Sequence, residues 1–71
     1  MKVEYDKEVD AEYIYLKNKI GKGEIEKTIA LNDDIILDFN KEGKLLGIEI
    51  LNASTVVPKQ TLPKHTLTCK A

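Results

Sequence analysis

Five acids recur at every second position near the start of the chain: Glu4, Asp6, Glu8, Asp10 and Glu12. On one continuous strand they would share a face, about 6.5–7 Å apart. Rows of carboxylate oxygens are the chemistry of a hard cation such as calcium or magnesium, which makes Asp6, Glu8 and Asp10 metal candidates. Such a row also repels itself. Residues 7–10 are polar apart from Val9 and suit a turn, which would break the face. The segment lacks the glycine and the bidentate glutamate of a calcium loop. The stronger expectation is structural, with Asp6 and Asp10 accepting from turn amides and Glu8 helping to set the connection.

Other residues carry chemistry in smaller amounts. Glu49 sits between Ile48 and Ile50, beside Gly47. It reads either as an acid or base at the rim of a pocket or as the outward residue of a strand, and Asp38 has the same two readings. No nucleophile or second acid stands at a known spacing from either, so no catalytic residue is assigned. His65 and Cys69 are four apart, half of a zinc site if helical, but Pro63 and the threonines around them oppose a helix. Gly21-Lys22-Gly23 lacks the spacing of a phosphate loop and reads as a turn. Tyr13 and Tyr15 could stack on bases, yet acids surround them and the chain has no arginine, so a protein interface suits them better. No cofactor is expected.

The elements that must position these residues read as strands. Val3 and Tyr5 alternate with polar neighbours over residues 2–6. Residues 12–17 are rich in aromatic and branched side chains, with Ile14 and Leu16 on one face and Tyr13 and Tyr15 on the other. Alternation resumes over 24–31, 35–39 and 45–51. Asn32-Asp33-Asp34 and Asn40-Lys41-Glu42-Gly43 are turn signals between them. The connections are too short for parallel crossovers. The expected fold is mainly β, α+β at most. It is an antiparallel meander of about five short strands, with a short helix near 52–57 capped by Asn52 and limited by Pro58, then an extended C-terminal arm. The expected inward set is Val3, Tyr5, Ile14, Leu16, Ile25, Ile29, Leu31, Ile35, Leu37, Phe39, Leu46, Ile48 and Ile50.

Seventy-one residues allow one domain, expected over 1–57, with a basic threonine- and proline-containing tail over 58–71. The net charge of −1 conceals an asymmetry: residues 1–57 hold eight lysines against twelve acids, a balance of −4, while 58–71 hold Lys59, Lys64 and Lys70 and no acid, a balance of +3. No basic field attracts nucleic acid, no apolar run spans a membrane, and the single cysteine excludes an internal disulfide framework. The expected setting is the cytoplasm.

Two stretches carry a family resemblance. One is Tyr5-Asp6-Lys7-Glu8-Val9-Asp10-Ala11-Glu12-Tyr13-Ile14. The other runs from Ile35 through Asp38 and Gly43 to Gly47-Ile48-Glu49-Ile50-Leu51, closing on Ala53-Ser54. Together they resemble the small prokaryotic domain-of-unknown-function 2283 family, over about residues 1–55. This chain departs from the family at Glu12, where an apolar residue is usual, at Tyr15, where a charged one is, and in the tail after Ser54. The resemblance implies a compact β-rich domain with no established activity. It extends to an antitoxin-type or partner-binding role, because members are sometimes encoded beside toxin-like proteins.

One sheet with a six-residue helix leaves apolar surface uncovered, and the second face adds Tyr13, Tyr15, Ile36, Leu45 and Leu51. The expectation is a non-enzymatic protein-interaction module, a homodimer with Tyr13, Tyr15, Leu45 and Leu51 at its interface, or with a protein partner encoded nearby. The alternative is a small metal- or ligand-binding protein or enzyme using the acidic turn and Glu49.

Overall fold

The computed structural model describes residues 1–58 and the backbone of Thr68–Lys70. Its elements are β1 (Lys2–Asp6), β2 (Ala11–Tyr15), β3 (Lys27–Ala30), β4 (Ile35–Phe39), β5 (Leu45–Ile50), α1 (Ala53–Val56) and β6 (Thr68–Lys70). All strand pairs are antiparallel, in the spatial order β3-β4-β5-β2-β1-β6. The mainly β class and the short helix therefore match the sequence pattern. The order is not consecutive throughout. β1 and β2 form one hairpin and β3, β4 and β5 a meander, joined by pairing of β2 with β5. The connection over residues 16–26 must then carry the chain from the middle of the sheet to its far edge. His65 and the tail lysines Lys59 and Lys64 lie outside the described residues. So does the side chain of Cys69, although the β6 backbone pairs Cys69 with Val3.

The turns form for local reasons. The Asn40 carboxamide oxygen accepts from the amides of Glu42 (3.0 Å) and Lys44 (2.9 Å), and Gly43 takes a φ of 84° that favours glycine. The Asn32 side-chain oxygen likewise accepts from Asp34 and Ile35, each at 2.8 Å. In the β1–β2 turn, Asp6 accepts from the Glu8 amide at 3.0 Å, and Asp10 sits at φ 54°, a region aspartate tolerates better than most residues.

Register sorts the side chains onto two faces. Directly opposed residues share a face. Val3 with Ile14, Ile14 with Ile48, Leu37 with Ile48, Ile35 with Ile50 and Ile29 with Leu37 make the apolar face. Glu4 with Tyr13, Tyr13 with Glu49, Tyr15 with Gly47, Asp38 with Gly47 and Thr28 with Asp38 make the polar one. α1 packs on the apolar face, where Tyr5, Ile50 and Ala53 are buried against Ile14, Ile48, Val56 and Val57.

That helix covers only part of the face, which corrects the expected core. Leu16, Ile29 and Leu31, all expected inward, are 41%, 40% and 63% exposed, and Ile25, also expected inward, is 40% exposed in the connection that precedes β3. Glu12, by contrast, is buried: alternation puts it on the apolar face, opposite Tyr5 on one side and Ile50 on the other. The acid ladder is thus not one face, since Glu4 and Asp6 stand on the polar side of the sheet and Glu12 on the apolar side.

Asn52 is also corrected as the helix cap. It precedes α1 at φ 52° and its side chain makes no capping bond. Its carboxamide donates instead to Asp34 at 3.0 Å. The cap comes from 44 residues upstream: Asp10 accepts from the Ser54 amide at 3.0 Å and the Ser54 hydroxyl at 2.6 Å, and its carbonyl accepts from the Ala53 amide at 2.9 Å. Val57 is extended, as the residue before Pro58 should be, and α1 stops there.

Candidate functional site

The polar face holds the densest side-chain network. Tyr13 in β2 lies across β5 and donates to Asp38 Oδ2 in β4 at 2.7 Å. Thr28 in β3 donates to Asp38 Oδ1 at 2.7 Å. One carboxylate thereby ties three strands together, and Asp38 is buried. Gly47 makes this possible. A Cβ there would meet the Tyr13 hydroxyl and come within 2.6 Å of Cε2 and Cζ. Any larger residue would occupy the space of the ring.

Tyr15 packs edge-on to Tyr13, with ring centroids 4.7 Å apart and planes at 66°. Its hydroxyl donates to Glu4 at 2.6 Å, and the Lys2 ammonium lies 4.3 Å above its ring. Burial, then the Asp38 carboxylate, pushes the Tyr13 phenol well above its ordinary value. The bond to Glu4, then burial, pushes Tyr15 upward as well. Both are fixed as neutral donors.

The connection between β2 and β3 forms a wall beside this network. Glu24 organises it: its carboxylate pairs with the Lys17 ammonium and accepts from the Gly21 amide at 2.8 Å, while its own amide donates to the Gly21 carbonyl at 3.1 Å. Those contacts, Lys17 first, hold the Glu24 carboxyl below its ordinary value. Between wall and sheet lies a recess of about 420 Å³ lined by Tyr13, Tyr15, Asp38, Ile20, Ile25 and the Gly21–Gly23 turn. A second recess of about 330 Å³ shares Tyr13 and includes Glu4, Asp6 and Glu49.

The candidates from the sequence are distributed unevenly. Tyr13 and Tyr15 meet on the polar face. Leu45 opens β5 and Leu51 follows its last residue, so the two stand at opposite ends of that strand, both half-buried. Glu49 is half-buried opposite Tyr13 and Ile36. Asp6, Glu8 and Asp10 do not converge. Asp6 turns to the Glu8 amide, Glu8 is exposed, and Asp10 binds Ser54 and the Tyr5 hydroxyl, the latter at 2.8 Å. Among the described residues no group of three or more His, Cys, Asp or Glu could hold a metal ion. Sequence reasoning missed the joint role of Asp38, Thr28 and Gly47. The only signal was a glycine inside an apolar strand, which often marks close approach of another group.

Comparison with known proteins adds a relationship but no activity. An uncharacterized protein of Methanocaldococcus jannaschii is 40% identical over 73 residues, an alignment covering 100% of this chain and 59% of that protein. The chain thus spans well under two thirds of that relative's length. No solved structure matches. The family model described as protein of unknown function (DUF2283) matches residues 2–54, most of the chain, and the chain belongs to that family.

Proposed function

We propose that this protein is a non-enzymatic interaction module that works as a homodimer through the β3 edge and the adjoining apolar face. One observation carries the reading. All four residues of edge strand β3 are exposed, Ile29 at 40%, and Leu31, which follows the strand, is 63% exposed, while no large side chain among the described residues is fully buried. An uncovered apolar patch running to an open sheet edge is a docking surface.

A second copy fits that edge. Two β3 strands pairing antiparallel about a twofold axis at Ile29 would oppose Ile29 to itself, Thr28 to Ala30 and Lys27 to Leu31. Like faces then meet, and no like charges are opposed. The reading that uses Asp6, Glu8 and Asp10 as a metal site has no comparable support, because their side chains point to different partners.

Gel filtration with light scattering at micromolar concentration tests the proposal. The expected result is a dimer that Ile29→Asp and Leu31→Asp convert to a folded monomer. A monomeric native chain overturns it. So does a dimer that survives both changes but dissociates with Tyr15→Asp or Leu51→Asp, which would move the interface to the polar face.

A further inference from the structure

We infer that the recess between the 16–26 connection and the polar face binds an alkylammonium head carried on an apolar stem. The inference does not depend on self-association, which uses the β3 edge and the apolar face. Its floor is Asp38, a carboxylate only 8% exposed. Its two hydrogen bonds come from the neutral hydroxyls of Tyr13 and Thr28, and among the described residues the ion pair present is Lys17–Glu24, which leaves Asp38 aside. Each carboxylate oxygen accepts more than one hydrogen bond, so acceptor capacity remains beyond the two bonds already made. A buried negative charge satisfied by dipoles alone still favours a cation beside it.

The remaining lining selects the rest of the ligand. Tyr13 and Tyr15 supply aromatic surface, and Tyr15 already holds one ammonium, that of Lys2, over its ring at 4.3 Å. Ile20 and Ile25 supply aliphatic walls for a stem. The floor is preorganised by three strands and the wall by Glu24, so little ordering is needed on binding. Lys22 is the one cation of the lining, and its charge opposes the ligand. A metal ion is a poorer occupant, since no three ligating side chains converge there.

The test is a titration of the full chain, isotope-labelled, with n-butylammonium chloride and, as a neutral control of the same shape, n-butanol. Saturable shifts are expected at the Gly21 and Gly23 amides and the Tyr13 and Tyr15 rings, with roughly tenfold or greater preference for the ammonium. Asp38→Asn should abolish the preference. If that variant does not fold, Lys22→Glu on the exposed turn serves: it should tighten ammonium binding severalfold at low salt, and added salt should erase the gain. Equal shifts with butanol, shifts that never saturate, or an affinity unchanged in Lys22→Glu would each overturn the proposal. N-acetyl-lysine methylamide identifies the source. Binding equal to the amine points to a lysine of a partner chain, and binding by the free amine alone to a small molecule.

Discussion

The Tyr13 hydroxyl reaches over Gly47 to Asp38 at 2.7 Å, linking β2 to β4 across the strand between them. The glycine is there for space and not for a positive φ, which among the glycines belongs to Gly23 and Gly43. Gly47→Ala should displace the Tyr13 ring, leave Asp38 short of a donor and cost about 1–3 kcal/mol. In a Tyr13→Leu background the obstacle is gone. The same Gly47→Ala change should then stabilise by about 0.4–1 kcal/mol, because alanine restricts the unfolded chain. A urea double-mutant cycle reads this reversal of sign, and equal effects in the two backgrounds would refute the link.

Asp10 holds α1 from a distant turn, and its charge matters. The Ser54 hydroxyl first, then the Tyr5 hydroxyl, hold its carboxyl below the ordinary value. A depressed carboxyl stabilises the fold above its ordinary pKa and loses that contribution as pH falls through the folded value. Asp10→Ala should therefore lower the melting temperature at neutral pH and flatten the acid limb of the stability curve. Asp10→Asn should do less harm at neutral pH, since asparagine tolerates φ 54° and still accepts from Ser54.

Glu12 has the opposite sign. Burial beside Tyr5 and Ile50 raises its carboxyl above its ordinary value. Its protonated form is the stabilised one, so its contribution is complete below that ordinary value and is lost as pH rises through the folded value. Glu12→Leu should stabilise the protein at pH 7 by about 1–3 kcal/mol and remove that loss. Thermal melts from mildly acidic to neutral pH would show it; a destabilised Glu12→Leu would mean the carboxylate has a favourable role at this position.

The small core concentrates the cost of truncation. Ile50 is 6% exposed and packs with Tyr5 and Ala53 beneath α1. Ile50→Ala should cost about 2–5 kcal/mol, a large part of the roughly 5–15 kcal/mol that holds a domain folded. Val9, 67% exposed in the first turn, should tolerate serine within about 0.5 kcal/mol. Chemical denaturation of both variants checks the contrast.

Self-association should also appear in stability. A dimer of folded chains is favoured by mass action, so the melting temperature of the native chain should rise with protein concentration and that of Ile29→Asp should not. Concentration-independent melts for both would count against a dimer.

Strands β1 to β5, the short helix and most turns are legible in local sequence, whereas β6 falls where the residues read only as an extended arm. Period-2 alternation decides the face to which each side chain points, and Asn32, Asn40 and Gly43 write their turns into neighbouring backbone. It also placed Tyr13 and Tyr15 together on one face. The tertiary structure alone decided what covers each face. β2 paired with β5 and not with β3, which sent β3 to an open edge and left Ile29 exposed although its alternation is that of a core residue. The same pairing set Gly47 beneath Tyr13 and Asp38 beyond it, and the β1–β2 turn brought Asp10 to the start of α1. Alternation is local and fixes direction. Burial, capping and the Asp38 recess depend on which distant strands become neighbours, and no local pattern encodes that.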